Sequence, residues 1–435
     1  MIGPRCAWER QQPHRRNTGG SSHVAESSGD GDRAFAAPPE SRLSGAFEVG
    51  RVALKLGLIS FGGPIAHLGY FREEYVRTRR WLDDETYADL VALCQFLPGP
   101  ASSQVGIGIG TLRAGMPGGI AAWLGFTLPS AIALTLFAYS VDRFDIAQSG
   151  FIHGFKIVAV AIVAQAVWGM GRQFCSDRVR ATIAILATLA ALAFPHASAQ
   201  PAIIVVAGIV GWRLFRNTPL PPLPRGHQRR LDRRVGAACL VIFAVLLIVL
   251  PLLSLGQTTG AIELVARFYW VGSLVFGGGH LVLPLLQTQV VPTGWLSDDQ
   301  FLAGYGAAQA VPGPLFSFAA YLGAIRTPEP NAITGAALAL AAIFLPSFLL
   351  IWGTLPFWEA LRARADFRGA LQGINAAVVG ILLAALYTPL WTSAILGPAD
   401  FGLTVACAAL LMIWKAPPWS VVVFGALAGE ALARI

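Results

Sequence analysis

From residue 46 onward the chain is a succession of apolar runs separated by short stretches rich in arginine, proline or glycine. This patterning is the strongest constraint on the fold. A run of about 20 apolar residues matches one membrane-crossing helix. Lipid offers no partner for backbone N–H and C=O groups, so the spanning segments must satisfy their own hydrogen bonds. Only 13% of the 435 residues are charged and 55% are hydrophobic, against about 25% charged in a soluble domain. That composition cannot cover a water-facing surface. It excludes an ordinary soluble enzyme, a disordered chain and a disulfide-rich secreted scaffold. The expected fold is an all-α polytopic membrane protein.

The apolar runs fall at about 46–69, 88–111, 118–140, 151–170, 181–195, 198–212, 235–254, 262–290, 301–325, 332–355, 370–390, 400–414 and 417–433. The pair 181–195 and 198–212 reads as a tight hairpin or one bent element. Residues 1–45 are polar, rich in Arg, Ser and Gly, and read as a mobile tail without the apolar stretch of a signal peptide. The net charge of +8 comes mainly from basic residues between the runs. They read as topology signals, and no nucleic-acid partner is expected. With the N-terminus inside, fifteen basic loop residues fall inside and seven outside. The stretch 71–87 runs against that bias. Either its arginines pair with Glu73, Glu74, Asp83 and Asp84, or the first run does not cross fully. The five cysteines are scattered, with no Cys/His cluster, so no metal or cofactor is expected.

The chain also contains an internal repeat. Phe61-Gly62-Gly63 recurs as Phe276-Gly277-Gly278, and Trp81-Leu82-Asp83-Asp84 as Trp295-Leu296-Ser297-Asp298. Gln95-Phe96-Leu97-Pro98-Gly99-Pro100 recurs as Gln309-Ala310-Val311-Pro312-Gly313-Pro314, and Leu128-Pro129-Ser130 as Leu345-Pro346-Ser347. Weaker matches pair Gly154 with Gly373 and Gly208 with Gly425. One repeat covers 46–213 and the other 262–435, joined by a basic linker and spacer helix over 214–261. Six spans plus one spacer place the second repeat upside down in the membrane. Inverted repeats of this kind carry a site at the midplane in secondary transporters.

The glycine and proline motifs interrupt apolar runs at matched places: Gly62-Gly63-Pro64 with Gly277-Gly278-Gly279, and Pro98-Gly99-Pro100 with Pro312-Gly313-Pro314. Proline removes a donor and glycine permits left-handed backbone, so each motif should break a helix. New half-helices should begin at Ala101-Ser102-Ser103-Gln104 and at Leu315-Phe316-Ser317. A half-helix N-terminus carries free N–H groups and roughly half a positive charge. Several such ends meeting would hold an anion. Ser102, Ser103, Gln104 and Ser317 can add donors, and Gln95 and Gln309 lie one turn before each Pro-Gly-Pro. The alternative reading of these polar groups is interhelical glue. Lys55 and Lys156 are candidates for countering a dianion, and His67 and His280, just after the glycine breaks, are candidates for proton coupling. No phosphate-cradling loop is present.

The stretches LGLISFGGPIAHLGYFREEYV and RRWLDDETYADLVALCQFLPGP, with FGGGHLVLPLL, GWLSDD and AQAVPGP in the second half, resemble the chromate ion transporter (CHR) family in its long two-domain form. The resemblance spans nearly all of 46–433. It implies a bacterial inner-membrane protein that exports chromate, driven by the membrane potential or a proton gradient, and so confers chromate resistance. It also implies antiparallel repeats about a central spacer. Chromate and sulfate are both tetrahedral dianions, so a sulfate-like oxyanion stays open as the substrate. The expected partners are that oxyanion, the lipid bilayer and a second copy of the chain as a homodimer. An anion channel and a membrane-embedded enzyme are the competing readings. The enzyme would need a ligand set or a nucleophile with its base, and the dispersed histidines provide neither.

Overall fold

Glycine and proline set where the helices stop. The computed structural model describes residues 41–144, 150–194, 199–215, 232–254, 260–276, 282–327, 329–358 and 365–434. Among these residues there is helix and turn and no strand. Residues 1–40 of the tail expected over 1–45, residues 216–231 of the linker expected from 214, and Gly277, Gly278, Gly279 and His280 lie outside the described residues.

The first repeat is built of α1 (Arg42–Ile59), α2 (Gly63–Phe71), a π-helical turn over Arg72–Thr78, α3 (Asp84–Phe96), α4 (Ala101–Phe144), α5 (Gly150–Phe174), α6 (Arg178–Ala193) and α7 (Ala199–Phe215). The spacer is α8 (Arg233–Ser254). The second repeat follows as α9 (Ala261–Leu274), α10 (Val282–Val290), α11 (Asp298–Ala310), α12 (Phe318–Ile325), α13 (Ala332–Thr354), α14 (Ala365–Ala385), α15 (Pro398–Met412) and α16 (Pro418–Leu432). α1 begins a little before the expected residue 46 because Ser41 and Ser44 form a reciprocal capping box. α4 joins two expected runs, but Ala114 and Gly115 are non-helical between them. The pair left open as a hairpin or a bend is two helices, α6 and α7.

Among the described residues, five helical stretches are long and apolar enough to cross a membrane: Ala101–Val141, Gly150–Phe174, Arg233–Ser254, Ala332–Phe357 and Gly369–Ala394. Their outer faces are apolar. On α8, Val241, Ile242, Val245, Ile248 and Leu252 are all exposed. On α6 the same is true of Ile185, Leu186 and Leu189. Such surfaces suit lipid. Polar groups are turned inward, among them Ser60, His67, Ser102, Ser103, Gln104, Thr127 and Ser347.

The repeats interlock. α5 of the first packs against α15 and α16 of the second, and α14 of the second packs against α6 and α7 of the first. Glycine makes the crossings close. A Cβ on Gly154 would lie 2.1 Å from the Gly425 carbonyl oxygen, and one on Gly373 would lie 2.1 Å from that of Ala207. Three of the four weakly matched glycines, Gly154, Gly425 and Gly373, thus lie in close crossings between the repeats, while a Cβ on Gly208 would meet the Ile374 side chain at 3.3 Å. Within each repeat the hairpins agree as well. A Cβ on Gly110 would meet the Gly118 oxygen at 2.3 Å, and one on Gly323 the Gly335 oxygen at 2.2 Å. α8 lies outside this exchange, against α9 and α13.

Three of the four arginines of 71–87 are ion-paired. Arg72 bonds Asp84 at 2.7 Å, Arg79 bonds Glu74 at 2.9 Å and Arg77 bonds Glu73 at 3.3 Å. These are ion pairs of the kind that the first of the two explanations requires.

Candidate functional site

Each expected break is present where it is described. Gly62 and Gly63 have φ of +97° and +77° and separate α1 from α2. Gly99 and Gly313 have φ of +119° and +104°, in the left-handed region that glycine tolerates. α4 starts at Ala101, directly after Pro100. After Pro314 the chain first makes one 3-10 turn, Leu315–Ser317, before α12 begins.

The breaks meet across the repeats. The Gly99 N–H donates to the Val275 carbonyl at 2.6 Å, and the Gly313 N–H donates to the Ser60 carbonyl at 3.0 Å. Ser60 precedes Phe61-Gly62-Gly63, and Val275 precedes Phe276-Gly277-Gly278. Each Pro-Gly-Pro thus bonds the residue that precedes the Phe-Gly-Gly motif of the other repeat. The Leu-Pro-Ser motifs obey the same exchange. A Cβ on Gly99 would lie 2.7 Å from Ser347 Oγ, and one on Gly313 would lie 2.9 Å from Ser130 Oγ. Glycine is required at both positions, by φ and by these hydroxyls.

One turn of α4 links the two crossings. Ser102 Oγ lies 3.2 Å from His67 Nδ1, on the Ser60 side. Gln104 Nε2 donates to the Pro98 carbonyl at 2.6 Å, on the Gly99 side. His67 is 1% exposed, with the Phe126 ring edge-on at 5.2 Å and the Ser60 backbone beside it. Gly63 faces open space, with no atom within 4 Å of a Cβ placed on it. Pro64 sits in the first turn of α2 behind it.

The side chains divide into those already bonded and those that are not. Ser317 Oγ donates to the Pro314 carbonyl at 2.6 Å, so it caps its own turn. Gln95 is exposed, and Gln309 is half-buried beside Tyr305. The hydroxyls of Ser60, Ser103, Thr127 and Ser347 are buried and have no hydrogen-bond partner among the described residues. Leaving a buried polar group unpaired costs about 1–3 kcal/mol each.

The two candidate lysines are ion-paired. Lys55 Nζ bonds Glu74 at 2.7 Å, and Lys156 Nζ bonds Asp299 at 2.5 Å. The second pair ties α5 of one repeat to the first turn of α11 in the other. Among the described residues no group of three or more His, Cys, Asp or Glu could hold a metal.

Ser60, Thr127 and Ser347 were not singled out by the residues alone. The repeat did mark Leu128-Pro129-Ser130 and Leu345-Pro346-Ser347. A serine inside an otherwise apolar repeated motif was the available signal for Ser347. Ser60 and Thr127 precede a motif and had none.

The family described as Chromate transporter matches residues 47–212 and 262–430. A chromate transport protein of Pseudomonas aeruginosa is 28% identical over 346 residues, covering 76% of this chain and 77% of its own length. A chromate transport protein of Cupriavidus metallidurans is 26% identical over 381 residues, 86% of this chain and 90% of that one. An uncharacterized transporter of Methanocaldococcus jannaschii is 27% identical over 340 residues, 76% of this chain and 81% of that one. No solved structure matches the chain.

Proposed function

The chain belongs to the chromate transporter family, and from that premise we propose that it exports chromate by secondary active transport through the crossing of its four helix breaks. It is a multi-pass membrane protein and a transporter, not an enzyme. The observation that carries the site is the reciprocal pair of bonds, Gly99 N–H to Val275 and Gly313 N–H to Ser60. Those bonds support a reading in which half-helix starts from both repeats meet at one place.

Chromate is a tetrahedral dianion whose four oxygens only accept hydrogen bonds. Burying it requires N–H and O–H donors and partial positive charge, because an uncompensated buried charge is prohibitively costly. The start of α4 supplies backbone N–H groups and the helix dipole. The hydroxyls of Ser60, Ser102, Ser103 and Ser347 supply further donors, and Gly62, Gly63, Pro64, Pro98, Gly99, Pro100, Pro312, Gly313 and Pro314 shape the backbone around them. A cage of neutral donors holds a dianion without trapping it, which suits transport.

The reciprocal contacts support a two-fold relation between the repeats, and the single spacer helix supports an axis in the membrane plane. The site then lies near the midplane and opens to each side in turn. The charge bias of the loops supports an N-terminus in the cytoplasm of a bacterium. Sulfate, with the same shape and charge, is a second substrate of this cage.

Radiolabelled chromate and sulfate uptake into inverted vesicles, with and without an imposed gradient, tests the reading. Gradient-dependent accumulation is expected, and it disappears in Gly63→Leu. Vesicles with full-length protein and an intact gradient that accumulate neither anion would overturn it.

A further inference from the structure

We propose that His67 takes up a proton as the oxyanion binds and releases it as the anion leaves, with the hydroxyl of Ser102 as the part that responds. This inference rests on the anion site proposed above and adds its coupling group.

The argument begins with charge. A dianion among neutral donors leaves two charges without a full counter-charge. Lys55 and Lys156 are already ion-paired, with Glu74 and Asp299. His67 is a titratable side chain that touches the crossing itself, through Ser102 at 3.2 Å and the backbone of Ser60. An anion within about 4–6 Å of an imidazole favours its protonated form. By linkage, a proton on the ring favours the anion equally.

The segments packed against α2 bring other ionisable groups near it. The turn 72–78 carries Glu74, held by Lys55 and Arg79, and the buried Tyr75. α3 carries Tyr87, whose hydroxyl donates to the Leu68 carbonyl at 2.6 Å, and the buried Asp89. α4 carries Arg113, paired with Glu48 at 3.2 Å. The contacts of the His67 ring itself are Ser102, the Phe126 ring and the Ser60 backbone.

Ser102 converts the proton into binding. When Nδ1 of the neutral ring is an acceptor, the Ser102 hydroxyl donates to it. In the imidazolium both ring nitrogens donate. Nδ1–H then donates to Ser102 Oγ, and the hydroxyl hydrogen turns to the anion. One proton from water thus supplies both a positive charge and a freed donor. No bond to the anion forms, and the proton returns to water when the anion departs.

Purified full-length protein in weak buffer, with a pH-indicating dye, tests this at a pH where chromate is fully a dianion. Chromate is added, and bound anion and protons taken from solution are measured together. The wild type is expected to take up a fraction of a proton per anion bound, a fraction that grows as the pH is lowered. His67→Gln keeps a donor toward Ser102 without a titrating group, and should bind chromate with no proton uptake. Wild-type protein that binds chromate without taking a proton overturns the inference, whatever the variant does. Equal uptake by a folded His67→Gln protein does the same. Wild-type protein that binds no chromate overturns the site reading, and this one with it.

Discussion

The two Pro-Gly-Pro crossings share one backbone and differ in their side chains. Each has a left-handed glycine, a bond into the opposite repeat and a serine from the opposite Leu-Pro-Ser motif. The first then runs Ala101-Ser102-Ser103-Gln104, and the second Leu315-Phe316-Ser317-Phe318. Gln104 donates to a carbonyl, whereas Phe318 at the matched place joins a ring cluster, 5.2 Å from Phe301 and 5.9 Å from Tyr321. The duplicated backbone therefore builds the breaks, while one copy keeps polar chemistry and the other has become packing. In the proposed site, a single tetrahedral anion does not need equal walls. Aromatic packing on one side excludes water, and the donors on the other side then act at lower dielectric.

The sharpest way to break this comparison is at the glycines. Gly99→Leu should destroy the fold of the crossing, since its Cβ would strike Gln104 Nε2 at 2.6 Å and Ser347 Oγ at 2.7 Å in a backbone region leucine disfavours. Membrane abundance should collapse. Gly63→Leu strains a left-handed backbone at φ +77° but meets open space, so the protein should reach the membrane at reduced abundance, well above that of Gly99→Leu, with its chromate transport abolished. Cellular chromate accumulation measured beside abundance separates the two. Normal export by well-expressed Gly63→Leu would mean that this break is architectural only.

Next comes the serine pair. Ser102→Ala should weaken chromate binding about three- to tenfold, the loss of one hydrogen bond worth roughly 0.5–1.5 kcal/mol. Ser317→Ala removes a hydroxyl that already bonds Pro314, so it should lower thermal stability by about 1 kcal/mol and leave affinity unchanged. Equal affinity losses in both would erase the division between the repeats. A subtler test is Ser347→Ala, from the second repeat. Its hydroxyl is buried without a partner among the described residues, so the variant should be at least as stable as the wild type and bind chromate a few-fold more weakly.

The smallest expected effect lies far from the crossing. Asp177 caps α6 by accepting from the Arg180 N–H at 2.9 Å. That bond and the Arg180 guanidinium hold its carboxyl below the usual aspartate value of 3.8. The cap is therefore fully present above that value and fades as pH falls through the lower folded-state value. Asp177→Ala should cost α6 about 1 kcal/mol or less, read by hydrogen exchange in its first turn. Transport should not change.

Much of the scaffold was legible before the structure, for local reasons. Glycine and proline restrict their own backbone, so Gly62-Gly63-Pro64 and both Pro-Gly-Pro motifs announced breaks that the helices then show. The apolar runs announced the helices, because helix length and lipid thickness are matched. The candidate site was legible only in part. Ser317 and Gln104 looked like ligands, but Ser317 bonds Pro314 and the amide nitrogen of Gln104 bonds Pro98. Lys55 and Lys156 looked like counter-charges, and each carries a carboxylate partner.

The sequence by itself determined the helical membrane class, the duplication and the positions of the breaks. All three follow from backbone sterics and apolar length, which act within a few residues. Only the tertiary structure decided that each break bonds the opposite repeat, that α5 and α14 are exchanged between repeats, and which hydroxyls stay unpaired. Those outcomes depend on partners far apart along the chain, as Lys156 and Asp299 are at 143 residues. No period or motif spacing encodes which donor reaches which acceptor over that distance. Close packing of the whole helical body does.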